Sequence, residues 1–353
     1  MRSTSANTLK FSGKFDKVII RRVSMVVLCR ELSREWSLPS LEACVLDIFR
    51  VVHTSDSYSA VPPIVSNLVL CFVIATGCFL LQVSTGNYSH VDRLWSITPV
   101  LYAWNYLIVA WNRGLAADLR LVVVVLLITH WGGRLTFNFY RRGGYKWTAE
   151  DYRWEHVRTG FTNPILWHVF SLVFIAFYQH ILLFLITCPL QVMFNVWENK
   201  YKSDILDNWT LWDLGLTLLF AGLLILETIA DQQQYNYQEA KWGMIKRTKK
   251  KVHELPNPYN VGFCTTGLFA YSRHPNYFAE QSMWWTVYLF SVSASGSLNW
   301  TAVGAILLSL LFQSSTRLTE DITLKKYPNY AIYQQHVSKL VPMWPSTPVA
   351  KHD

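Results

Sequence analysis

Apolar residues fall in seven blocks along the chain, at roughly 64–82, 94–112, 118–136, 164–190, 209–230, 278–298 and 300–316. Most approach the 20 or so residues that a helix needs to cross a hydrocarbon core about 30 Å thick. The first block follows Pro62 and Pro63, and the fourth ends near Pro189. No internal repeat relates the blocks, so a transporter built from inverted repeats is not supported. The pattern predicts an all-α membrane protein with about seven transmembrane helices, forming one domain over 61–345. A basic tail, residues 1–60, precedes it and a short tail, 346–353, follows. The first tail carries nine Lys/Arg and no apolar run long enough to span, and is predicted to be flexible.

Composition sharpens this picture. Hydrophobic residues make up 51% of the 353 and charged residues 16%, against about 25% charged in a soluble domain. The formal net charge of +9 would suit nucleic acid, but the basic residues flank apolar blocks and no nucleic-acid-binding motif accompanies them. A membrane surface accounts for the charge. With seven crossings, segments 83–93, 137–163, 231–277 and 317–353 share one side and hold 18 Lys/Arg, against 3 on the other (Arg113, Lys200 and Lys202). The positive-inside bias places the first set, with the C-terminus, in the cytosol. The basic N-terminal tail then falls on the opposite side. The six cysteines form no C-x-x-C pair, so neither a zinc site nor a disulfide framework is expected.

Candidate chemistry gathers in the segments assigned to the cytosol. In Arg273-His274-Pro275-Asn276-Tyr277, Pro275 suits the first position of a helix. Arg273 and His274 would then stand at a helix N-terminus, where free N–H groups, the helix dipole and a guanidinium suit a phosphate. Asn276, Glu280 and Trp284 recur at i, i+4 and i+8 and share one face. A carboxylate entering the bilayer is costly, so Glu280 calls for a partner or ligand. Glu227 and Asp231, also four apart, could hold ribose hydroxyls, an amide or a cation at the membrane edge; an interface-solvated pair is the plain alternative. Arg317 has Glu320 and Asp321 at i+3 and i+4, and an internal salt bridge is the plain reading there. In His130-Trp131-Gly132-Gly133-Arg134 a helix-end cation that snorkels competes equally with a binding role.

The stretch Phe269-Ala-Tyr-Ser-Arg-His-Pro-Asn-Tyr-Phe-Ala-Glu280 resembles the signature of the steroid 5-alpha-reductase C-terminal domain superfamily, and most closely its DUF1295 branch of membrane reductases. Asp92-Arg-Leu-Trp95, Trp131-Gly-Gly-Arg134, Asp151-Tyr-Arg153, Asp231-Gln and the tail from Lys326 to Tyr333 fit that branch in order. The resemblance covers roughly residues 64–345. It implies a seven-helix reductase that binds NADPH from the cytosolic side. Asn276 and Glu280 would meet the nicotinamide end, and His274 and Tyr277 are counted with them as cofactor-binding. Arg273 would lie near the phosphates, Glu227 and Asp231 along the ribose or adenosine, and Arg317 and Glu320 would close the site. Steroid reductases typically carry Asn where Glu227 stands, and a carboxylate changes the hydrogen bonding there.

A hydride reduction needs an acid, because negative charge develops as hydride arrives. Asp92, at a membrane edge beside Trp95 and Ser96, is the candidate. The Tyr of the family's His-Tyr-x-x-Arg motif appears here as Trp131, which cannot act as that acid. Tyr102 or Tyr106 would substitute, or the substrate is not a 3-oxo-steroid. The function expected is NADPH-dependent reduction of a conjugated C=C bond in a steroid, sterol, polyprenyl or fatty enone. The alternative is an S-adenosylmethionine-dependent methyltransferase of a lipid or prenylated protein, since isoprenylcysteine and phospholipid methyltransferases share the Arg-His-Pro-x-Tyr stretch. A third reading is a non-catalytic lipid-binding protein. The expected partners are the bilayer and a membrane-soluble substrate, with no nucleic acid and no obligate protein partner. The endoplasmic reticulum membrane follows from the resemblance.

Overall fold

The structure is a computed structural model that describes residues 61–115, 118–200 and 209–346. The tail 1–60 and nearly all of the tail 346–353 lie outside the described residues. The chain divides into two compact units, residues 1–69 and 70–353, and all the geometry below belongs to the second. No β-strand occurs among the described residues, and the protein is an all-α, multi-pass membrane protein.

Each apolar block becomes helix. They are α1 (Pro63–Thr85), a short α2 (His90–Leu94), α3 (Thr98–Asn112), α4 (Leu119–Arg141), a short α5 (Tyr152–Arg158) and α6 (Pro164–Phe170). A π-helical segment (Ser171–Tyr178) joins α6 to α7 (Gln179–Leu185). Then come α8 (Pro189–Lys200), α9 (Leu211–Thr248), α10 (Pro275–Ser295), α11 (Ala302–Lys326) and α12 (Tyr330–His336). Among the described residues, five helical stretches are long and apolar enough to cross a membrane: Pro63–Thr85, Leu119–Arg141, Pro164–Asn199, Leu211–Thr248 and Ala302–Lys326. Two of the expected seven spans differ in kind. α3 has 15 residues, and α10 interrupts its apolar run with Asn276, Glu280, Gln281 and Ser282.

Local chemistry sets the helix ends that matter. The Thr210 hydroxyl and the Asp213 carboxylate close a capping box at the start of α9, satisfying two orphan donors. From there α9 runs 38 residues, about 57 Å at 1.5 Å per residue. That is nearly twice the hydrocarbon thickness, so its second half must leave the bilayer. Asp231, 20 residues in, stands about 30 Å from the start of α9, where the core would end. Pro275 opens α10, and Gly296, with φ of 71°, closes it in the left-handed conformation that glycine adopts without strain.

α9 and α10 pack along one another, and α4, α8 and α11 flank them. The core between them is built from Trp131, Phe194, Phe220, Met283, Trp284 and Phe290 with aliphatic neighbours. Gly132 lets α4 approach the Ser96 backbone: a Cβ there would fall 2.6 Å from the Ser96 carbonyl oxygen. At the far end of α4, Arg120 donates two 2.8 Å bonds to the buried Asp213 carboxylate, which also accepts from Ser293 at 2.8 Å. This fully paired ion pair ties α4, α9 and α10 together, leaving their other halves to frame a cavity.

Candidate functional site

The cavity, about 510 Å³, opens between the C-terminal half of α4, the middle of α9 and of α11, the start of α10, α2, α5 and the π-helical segment. Its polar wall carries Glu227, Asp231 and Glu280, and behind them all three converge on Arg134. One terminal nitrogen of Arg134 lies 2.6 Å from Asp231 Oδ2 and the other 2.7 Å from Glu227 Oε2 and 4.0 Å from Glu280 Oε2. Three carboxylates therefore face one guanidinium. Asn138 donates to Asp231 Oδ2 at 2.8 Å and Asn276 to Asp231 Oδ1 at 3.2 Å. Glu280 is pinned from both sides: the Trp131 indole donates to one oxygen at 2.7 Å and the Trp284 indole to the other at 3.0 Å. The i, i+4 spacing of Glu280 and Trp284 places that second donor. The first comes from 149 positions away and has no local signature.

The other wall holds Asp92, Asp151, Arg153 and Trp154 among apolar side chains. The Trp154 indole donates to Asp92 at 2.8 Å, and Arg153 grips both oxygens of Asp151 at 2.8 and 2.9 Å. Burial raises the Asp92 carboxyl above its ordinary range, outweighing the Arg153 charge and the Trp154 hydrogen bond that pull it down. Asp151, one α5 cap away, shows the reverse. Burial opposes its ionisation, yet the Arg153 hydrogen bonds and charge hold its carboxyl below the usual value. Two neighbouring carboxyls are thus driven apart, a pattern that separates acid from spectator. At the mouth, exposed Arg142 spends its Nε on the Asn138 carbonyl at 3.1 Å; its terminal nitrogens make no hydrogen bond with a described residue, and its charge adds to that of Arg153 in holding the Asp151 carboxyl down.

The structure brings Asp92, Glu227, Asp231, Asn276, Tyr277 and Glu280 into the lining of one cavity. It places the other expected site residues elsewhere. Arg273 donates to Glu320 at 2.7 and 3.2 Å and to the carbonyls of Gln334 and Val337, so its guanidinium is spent inside the protein. His274 lies 2.9 Å from Glu320 and stacks on Tyr277. Glu320 also accepts from Gln334 at 3.0 Å and from the Tyr330 hydroxyl. This knot fastens the C-terminal segment, which adds Arg273 N–H to the Ser338 carbonyl at 2.8 Å and Ser272 hydroxyl to the Leu340 carbonyl at 2.7 Å. The helix-start cation expected to meet phosphate is therefore the anchor of the tail, and Arg142 is the cation at the cavity mouth. Arg317 is exposed and forms no bridge to Glu320 or Asp321, because Arg273 and His274 occupy the Glu320 carboxylate. Tyr102 is fully buried against Phe184 beside Cys71, and Tyr106 against Phe194. Neither tyrosine lines the cavity.

Residues 78–338 match the family described as "Protein of unknown function (DUF1295)". An uncharacterized protein of Schizosaccharomyces pombe is 36% identical over 294 residues, covering 82% of this chain and 83% of its own. No solved structure matches the chain. With the family match and this relative each spanning most of the helical unit, the chain belongs to the DUF1295 family.

Proposed function

We propose that the protein is an NADPH-dependent reductase of a conjugated C=C bond in a membrane lipid, working at the cytosolic face of the endoplasmic reticulum. The observation that carries this reading is one cavity with a carboxylate-rich wall on one side and the half-buried Asp92, held by the Trp154 indole, on the other. Its volume lies in the range of small-molecule sites. The residues fit NADPH on a specific count: Glu227, Asp231 and Asn276 line the cavity together, presenting carboxylate acceptors and an amide to it. Glu227, Asp231 and the Asn276 amide would hold ribose hydroxyls and the carboxamide, and Arg142 a phosphate oxygen.

The chemistry supplied by NADPH, when bound, would be a hydride, with positive charge left on the nicotinamide ring. Glu227, Asp231 and Glu280 outnumber Arg134, so they stabilise positive charge that grows as the reaction proceeds. A preorganised site accelerates a step through charge that develops in the transition state. The same wall would hold the sulfonium of S-adenosylmethionine, but methyl transfer removes that charge, so the carboxylates would stabilise the starting state and oppose the step. Asp92, whose carboxyl burial raises above its ordinary range, would give its proton to the carbon or oxygen that becomes electron-rich, and the Trp154 indole holds its carboxyl in place.

Lipid profiling of cells with and without the gene product tests the reading. Loss of the protein should accumulate a lipid two hydrogens lighter than the one it depletes. A difference of one methyl group would instead establish the methyltransferase.

A further inference from the structure

One polar side chain of the cavity is used neither by the carboxylate wall nor by Asp92. Gln179 lines the cavity and is only 5% exposed, yet its carboxamide makes no hydrogen bond with any described residue. A buried carboxamide left unpaired is costly, and nearly all such groups find a partner within the fold. Apolar groups share the cavity with it. Phe170 and Phe174 line the same cavity with rings stacked at 5.1 Å, and Val157, Leu311 and Phe312 complete that end.

The backbone explains why a glutamine points into this wall. Gln179 lies five residues beyond Phe174. In a regular α-helix, at 3.6 residues per turn, that spacing would swing it about 140° away. The segment Ser171–Tyr178 is π-helical instead, with one extra residue per turn, so positions five apart come to one face. The π segment thus turns Gln179 into the cavity that Phe174 also lines.

We propose that Gln179 is a substrate-binding residue that hydrogen-bonds the neutral oxygen, carbonyl or hydroxyl, of an otherwise apolar lipid lying against Phe170 and Phe174. A carboxamide both donates and accepts, so either oxygen function satisfies it. An anionic head, a fatty acid or a phosphate ester, is disfavoured because the opposite wall already holds more carboxylates than cations. This deepens the reading of the cavity as a lipid site; it does not depend on which cofactor fills the carboxylate wall.

The test uses the full chain in detergent micelles and tritiated hexadecan-1-ol, competed by trans-2-hexadecenal, palmitate and hexadecane. NADPH binding is measured separately. Wild-type protein should prefer the alcohol and the aldehyde over palmitate and hexadecane. Gln179→Met, close in volume, should weaken hexadecanol about tenfold, the scale of one well-placed hydrogen bond, and leave hexadecane and NADPH unchanged. It should also raise the melting temperature of the ligand-free protein, because the unpaired amide is gone. Equal hexadecanol affinity in Gln179→Met, or a lowered melting temperature, would overturn the assignment. Intact lipid preference without NADPH binding would support Gln179 and sink the cofactor reading alone.

Discussion

Arg273→Ala separates a structural anchor from a ligand contact. The side chain is 9% exposed and lies 2.7 Å from a Glu320 carboxylate that is 8% exposed. Removing one partner of a buried ion pair costs about 3–5 kcal/mol, because the other charge is left uncompensated. Here His274 and Gln334 still reach Glu320, which favours the lower end. The carbonyls of Gln334 and Val337 also lose their donor. At roughly 2–4 °C per kcal/mol for a large domain, the melting temperature should fall by about 6–12 °C. Hydrogen exchange should locate the damage. The Arg273 amide bonded to Ser338 and the Met343 amide bonded to the Tyr271 carbonyl should lose protection, while the Arg120–Asp213 end of the bundle stays unchanged. Thermal unfolding and exchange on detergent-purified protein provide the assay. An unchanged melting temperature and tail protection, with NADPH affinity abolished, would refute the anchor and return Arg273 to the phosphates.

Asp92→Asn should leave NADPH affinity within about twofold and slow turnover by about 10²–10⁴, the usual worth of a positioned acid; an unchanged turnover number would remove Asp92 from the mechanism. Because burial raises the Asp92 carboxyl, its acid form persists above the usual carboxylate range and is lost as pH rises through that elevated value. Turnover should therefore fall with rising pH on a limb that disappears in Asp92→Asn. Arg142→Ala should weaken NADPH about three- to tenfold, as loss of one charge-assisted bond at an exposed position would, with no change in melting temperature. Gly132→Ala places a Cβ 2.4 Å from Val100 Cγ2 and 2.6 Å from the Ser96 carbonyl oxygen. The overpacking should cost about 1–3 kcal/mol, read as a lower melting temperature.

The apolar blocks made the helices legible because span length and hydropathy are local properties. The face shared by Asn276, Glu280 and Trp284 and the pair Glu227 and Asp231 were legible for the same reason, since helical periodicity fixes neighbours at i+4. What the sequence obscured was who meets whom across helices. Arg134 is the cation on which three carboxylates converge, yet along the chain it looks like any basic residue at a helix end. Trp131 stands where the family resemblance leads one to look for a tyrosine, and its role as the indole that fixes Glu280 emerges only from packing. The same reasoning at Arg273 met a competing partner: Glu320, 47 positions away, captures the guanidinium that a helix N-terminus alone would have offered to phosphate. Gln179 sits inside an apolar block whose π-helical turn has no period-3.6 signature, so nothing in the pattern told its face.

The central claim is that the carboxylate wall around Arg134 holds a reduced dinucleotide. It is tested most directly by titrating purified protein in lipid nanodiscs with NADPH and, separately, with S-adenosylmethionine, alongside Asp231→Ala. Saturable NADPH binding, weakened at least about tenfold by Asp231→Ala and poorly competed by S-adenosylmethionine, is the result expected. Tighter binding of S-adenosylmethionine, or NADPH binding indifferent to Asp231, would contradict it.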